Sequence, residues 1–169
     1  MAIWRDGGFA EELWTTLDDA APTPERGAIV VSFARWQAEK TTLETRADPV
    51  GVAIVAGKDA VGELAEAAKR PLVALKFDKF ADGRAFSYAE LLRERHGFTG
   101  DLRATGEVLL DEIALMQRCG FTSLEVTDPN TLRALKEGRL PKGDLFYQPA
   151  PGQREAPAGT RPWLRRAAS

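Results

Sequence analysis

Hydrophobic positions in this chain fall into short continuous runs separated by stretches with helical spacing. Ala28 to Phe33, Val50 to Ala56 and Leu72 to Phe77 have the apolar character of buried strands, and Leu102 to Thr105 and Leu124 to Thr127 are shorter runs of the same kind. Between them apolar residues recur three or four positions apart, which puts each set on one helix face. The sets are Val61, Leu64, Ala65 and Ala68, then Tyr88, Leu91, Leu92 and Arg95, then Leu109, Ile113, Leu115 and Met116. A last helix is expected over Thr131 to Lys136, entered through Asp128-Pro129-Asn130. Arg35 to Asp48 is a weaker helix, because Thr41, Thr42 and Thr45 oppose it.

Two helix-to-strand passages use nearly the same letters. Leu91-Leu92-Arg93-Glu94-Arg95-His96-Gly97-Phe98-Thr99 leads to Leu102-Arg103-Ala104-Thr105, and Leu115-Met116-Gln117-Arg118-Cys119-Gly120-Phe121-Thr122 leads to Leu124-Glu125-Val126-Thr127. In each, Gly is expected at the left-handed position that closes a helix, which only Gly takes without steric cost. A repeated βα unit follows. The fold class is α/β: a five-stranded, mostly parallel sheet with right-handed crossovers, either a partial β/α barrel or an open sheet. Ahead of it, Asp6-Gly7-Gly8 predicts a short N-terminal hairpin with Trp4 and Trp14 as apolar anchors. Residues 1–152 are expected to form the single domain. Residues 153–169, interrupted by Pro and Gly and ending near Trp163-Leu164-Arg165-Arg166, are expected to be a flexible basic tail.

Alternation along the strands raises a question of charge. Val73, Leu75 and Phe77 share one face of their strand, and Lys76 lies on the other; Leu102 and Ala104 oppose Arg103 and Thr105; Leu124 and Val126 oppose Glu125 and Thr127. One face is therefore apolar and takes helices, while the other collects charge that a sheet covered on both faces would not accept. Two readings stand open. In one, these groups pair with each other inside a partial barrel as a structural network. In the other, they join the loops at the C-terminal ends of the strands to form a binding site, with Asp78, Lys79, Asp82, Arg84 and Ser87 after the third strand, Glu107 after the fourth and Asp128 after the fifth.

Composition narrows the partners. The chain has 169 residues, 44% apolar and 28% charged, which suits one globular domain. A net charge of -2 offers no field for a polyphosphate, so nucleic acid is not expected as a partner. The longest apolar run is about seven residues against the ~20 needed to span a bilayer, and the N-terminus lacks the apolar region of a secretory signal. No membrane association and a cytoplasmic location are expected.

One cysteine, Cys119, and one histidine, His96, leave no ligand set for a structural zinc or an iron–sulfur cluster, and no phosphate-binding glycine loop is visible. No metal site and no cofactor motif are evident. His96 and Cys119 each precede a helix-closing Gly, where a cation is favoured and a thiolate disfavoured, so Cys119 is expected to be a buried structural thiol. Asp82-Gly83-Arg84 has the letters of a turn, with Ser87 capping or entering the next helix; as a binding loop, Arg84 would offer a fork to a carboxylate or other oxyanion. The candidate binding residues, for an anion or a partner, are Lys76, Asp82, Arg84, Ser87, Arg103, Glu107 and Glu125. Catalytic residues are not assigned.

Phe80 to Ala89, Leu91 to Phe98, Gly100 to Leu109 and Arg118 to Phe121 resemble, in order and spacing, a bacterial family of unknown function, nine-three-four in the domain-of-unknown-function series. The resemblance is closest from Gly51 to Phe121 and looser at the Trp-bearing start and at Tyr147-Gln148-Pro149-Ala150. Asp82, Gly83, Arg84, Ser87, Arg93, Arg95, Arg103, Gly106 and Cys119 follow the family pattern; Asp78, Ala81, Ala85, Glu107 and Glu112 depart from it. Members are described as probable oxidoreductases involved in sulfite reduction, a description that rests largely on their company with genes of assimilatory sulfate reduction. The resemblance implies an accessory protein or probable oxidoreductase of assimilatory sulfite reduction, acting with sulfite reductase or its electron donor. The alternative is a free-standing small α/β enzyme, a lyase, isomerase or oxidoreductase, acting on a small anion.

Overall fold

The structure is a computed structural model that describes residues 1–57, 60–77 and 83–140. Five parallel strands form where the apolar runs predict them: β4 (Ala28–Ser32), β5 (Val50–Val55), β6 (Leu72–Phe77), β7 (Asp101–Gly106) and β8 (Ser123–Val126). Each pairs with the next in sequence order, in parallel. Among the described residues the sheet has eight strands, however, not five. β1 (Ala2–Arg5) and β2 (Gly8–Ala10) make the expected hairpin, and β1 adds antiparallel to β8. β3 (Trp14–Thr16) adds parallel to β4 at the opposite edge, giving the order β2-β1-β8-β7-β6-β5-β4-β3.

This corrects the place of Trp14, which does not anchor the hairpin. Trp4 does so by meeting Phe9 edge-on at 5.0 Å, while Trp14 pairs with Ala28 at the far edge. The two edges are joined by Glu11, Glu12 and Leu13 alone. Four residue steps from Ala10 to Trp14 reach at most ~14 Å, whereas a flat sheet of eight strands at ~4.8 Å spacing would put its edges ~34 Å apart. The sheet must therefore curl, and it forms a half-barrel with an open seam crossed by this link.

Helices cover one face. α1 (Phe33–Ala38) and α2 (Lys40–Glu44) follow β4, α3 (Leu64–Ala67) follows β5 after a 3-10 turn, α4 (Arg84–Glu90) follows β6, α5 (Ile113–Arg118) follows β7 and α6 (Pro129–Lys136) follows β8. The weak segment from Arg35 is thus two short helices, and Phe33, expected to end a strand, opens the first. Val31, Val52, Ile54, Leu75, Leu102 and Leu124 pack against Trp36, Leu64, Leu92, Ile113 and Met116 in one continuous core. Each such fully buried side chain contributes roughly 1.5–3 kcal/mol. Periodicity overreached at Val61 and Leu115, which remain 46% and 42% exposed.

The helix ends follow their letters. Asp128 caps α6 by accepting from the Thr131 amide at 2.6 Å. Ser87 does not cap α4; Gly83 precedes that helix and Ser87 lies inside it. Gly97 and Gly120 adopt φ +60° and +100° after His96 and Cys119, as the repeated unit requires. Among the described residues no helix is long and apolar enough to cross a membrane.

Candidate functional site

Among the described residues the other face of the sheet carries no helix, and Arg103 is its centre. By alternation Val30, Ala53, Leu72, Ala74, Arg103, Ser123 and Glu125 point there, with Ala74 opposite Arg103 and Arg103 opposite Ser123 in neighbouring strands. Val30, Leu72 and Ala74 form a second, smaller apolar cluster against which Trp14 and Ala53 pack. The Arg103 side chain is only 4% exposed although none of the described helices lies over it.

What encloses it is a set of acids and hydroxyls. Arg103 donates to Glu12 at 2.7 Å, to Ser123 at 3.2 Å and to Asp101 at 3.5 Å. Glu12 uses its second carboxylate oxygen to accept the Trp14 amide at 2.8 Å. Asp101 is more heavily shared: it pairs with Arg5 and accepts from the Ser123 and Thr122 hydroxyls, each at 2.7 Å. A guanidinium withdrawn from water needs such partners, because a buried unpaired charge costs several kcal/mol.

Glu125 stands beside this network, half-buried. Burial pushes its carboxyl above the usual carboxylate range; nearby Glu12 adds to the rise, while Arg103 and the N-terminal amine oppose it. Such a group is suited to exchange a proton nearer neutrality than an ordinary glutamate. Lys76 points to the same face, opposite Thr105 and exposed.

The remaining sequence candidates lie elsewhere. Arg84 and Ser87 sit exposed on α4, which packs against the helix-covered side of β6 through Ala85 and Ala89. Glu107 is exposed just past β7, and its amide donates to the Phe77 carbonyl at 3.0 Å. Asp82, with Asp78 and Lys79, lies outside the described residues, as does the tail from 153 onward. The structure thus brings Arg103 and Glu125 together, and holds Arg84 and Ser87 in the opposite layer.

Arg5, Glu12, Asp101 and Ser123 were missed by sequence reasoning. Asp101 and Ser123 had a signal, since each shares the alternation parity of Arg103 or Glu125. Glu12 had none, being 91 positions from its partner.

Cys119 is buried and donates to the Glu90 carboxylate at 3.6 Å. Burial first, then the Glu90 charge, pushes its thiol up to about 11. It is therefore a protonated thiol at neutral pH, as its place at a helix C-terminus suggested. Among the described residues no three His, Cys, Asp or Glu side chains are placed to hold a metal ion. Two surface cavities, of about 400 and 270 Å³, share no residue with the Arg103 network.

Residues 51–158 match a family described as bacterial protein of unknown function (DUF934). No curated protein and no solved structure matches the chain. The matched region contains Arg103, Asp101, Ser123 and Glu125, and begins after Glu12 and Arg5.

Proposed function

The chain belongs to the DUF934 family, and on that premise we propose that it is an accessory protein of assimilatory sulfite reduction, acting with sulfite reductase or its electron donor. The resemblance of its Phe80 to Phe121 motifs to probable oxidoreductases of that process motivates the reading. The observation that carries the accessory role is the state of Cys119. It is the chain's one thiol, and its pKa of about 11 with a carboxylate at hand keeps it out of thiolate chemistry with sulfur species. On this reading the electron chemistry belongs to the partner, and the protein docks on it. The segment Trp163 to Arg166 is the proposed contact.

The test is a pull-down of the tagged protein from its own host grown on sulfate as sole sulfur source. Sulfite reductase should be recovered, and replacement of Trp163 to Arg166 by alanine should reduce that recovery at least fivefold. A protein that emerges alone would sink the docking role.

A second reading is favoured by one specific observation, the juxtaposition of Arg103 with the raised-pKa Glu125 on a face without helices. Here the protein is a small α/β enzyme acting on an anion, with Arg103 binding it and Glu125 or Lys76 exchanging a proton. Replacing Arg103 by Met would then abolish turnover and leave partner recovery intact.

A further inference from the structure

We propose that Arg103 is the recognition cation of a binding site for a small carboxylate, and that in this structure the chain's own Glu12 side chain occupies it. Every crossover helix of the half-barrel packs on the opposite face, yet the Arg103 side chain is 4% exposed. From the link of Glu11 to Leu13, Glu12 lays one carboxylate against the guanidinium at 2.7 Å, beside the Ser123 and Asp101 contacts.

That link is held at one point. Glu12 makes the contacts to Arg103 and to the Trp14 amide, while its neighbours Glu11 and Leu13 are exposed, Leu13 at 70%. The strands on either side, β2 and β3, are three residues each and mostly exposed. Segments with few buried contacts and short ladders belong to the part of a fold that opens at low cost. Asp101 differs in this respect. It is fixed by Arg5, Ser123 and Thr122, and its own contact to Arg103 is long, at 3.5 Å. Release of Glu12 would therefore cost Arg103 its shortest contact and leave it held by Ser123 at 3.2 Å and Asp101 at 3.5 Å.

The surroundings have the make-up of a ligand site. Trp14, Leu72 and Ala74 supply an apolar wall beside Arg103, the Ser123 hydroxyl lies 3.2 Å from its Nε, and Glu125 stands at the margin. A carboxylate on a short apolar body matches this set: two oxygens for the guanidinium, carbon against Trp14. The tethered Glu12 carboxylate is that chemistry supplied in cis, at an effective concentration that a free ligand must exceed. The inference concerns binding, and stands apart from whether the protein docks on a reductase or turns over a substrate.

The test is rescue by acetate. In Glu12→Ala, acetate should raise the melting temperature saturably, by roughly 3–6 °C at tenfold excess over its Kd. Sodium chloride at equal ionic strength should not, and the wild type, with its site filled, should respond at least tenfold more weakly. In the double variant Glu12→Ala/Arg103→Met the acetate effect should vanish. A rise that survives in the double variant, or no acetate-specific rise in Glu12→Ala, overturns the proposal. If Glu12→Ala does not fold even in acetate, hydrogen exchange of the Trp14 amide in the wild type decides. Acetate should accelerate it relative to chloride by displacing Glu12, and an unchanged rate overturns the proposal.

Discussion

Arg93 stands near the end of the helical segment after β6, and its guanidinium makes four hydrogen bonds to three carbonyls. Nε and Nη2 bond the Gly120 carbonyl at 2.9 and 2.8 Å, and Nη1 bonds the Phe98 and Gly100 carbonyls at 2.6 and 3.1 Å. Those carbonyls belong to the two Gly-Phe passages that the sequence repeats, so one side chain ties both passages together. The guanidinium also lies 5.1 Å over the Phe98 ring. Hydrogen bonds to a charged group contribute about 1.5–3 kcal/mol each, but they are not additive when shared by one fork. Arg93→Met should therefore lower the unfolding free energy by roughly 3 kcal/mol in urea titration. Arg93→Lys should recover less than half, since an ammonium cannot reach all three carbonyls in the plane of a fork. In the sequence Arg93 is one of several arginines on a helix, and nothing local marks it. Arg103 was legible by contrast, because alternation alone places a charge where β7 should be apolar on both faces.

Helices and strands were the most readable level of this molecule, and the errors have identifiable causes. β4 to β8 formed where continuous apolar runs announced them, since burial and β-branched content act locally. β3 has three residues and no run of its own; pairing with β4 creates it. The segment after α4 held a further surprise. Leu91–Arg95 continues the helix as a π-turn, with the His96 amide bonded five residues back to the Leu91 carbonyl at 3.1 Å. That turn brings Arg93 round to Gly120. The two C′ glycines, equivalent in letters, therefore differ in surroundings. A Cβ on Gly97 would meet nothing within 4 Å, whereas one on Gly120 would lie 2.6 Å from Arg93 Cγ. Gly97→Ala should cost about 1–2 kcal/mol, the left-handed penalty alone. Gly120→Ala should cost at least 1 kcal/mol more, because the Arg93 stem must move off carbonyls it bonds. Equal losses in denaturant titration would show that the π-turn does not couple the two passages.

The half-barrel was not legible because its cause is a relation between distant elements. An Ala10 to Trp14 connection looks like an ordinary hairpin tail until β2 and β3 are known to be opposite edges of the same sheet. Closure can then be enforced in two ways: by the shortness of the link, or by the Glu12 to Arg103 pair that fastens it. The energetics separate them. Lengthening a three-residue connection by two glycines raises its closure entropy by less than about 1 kcal/mol. Removing Glu12, whose side chain is 24% exposed, leaves Arg103 with Ser123 at 3.2 Å and Asp101 at 3.5 Å, so the loss is that of one charged hydrogen bond, roughly 1.5–3 kcal/mol. Inserting Gly-Gly between Ala10 and Glu11 keeps both Glu12 contacts, so this variant should stay within about 1 kcal/mol of wild type. Glu12→Ala, which keeps the link length, should lose roughly 1.5–3 kcal/mol. The reverse order in urea titration would mean that chain length draws the edges together and that the ion pair merely fills the gap. In the expected order, the Glu12 to Arg103 pair fastens the curl that the short link imposes. The charge that looked out of place in the strand pattern is then what holds the curled edges together.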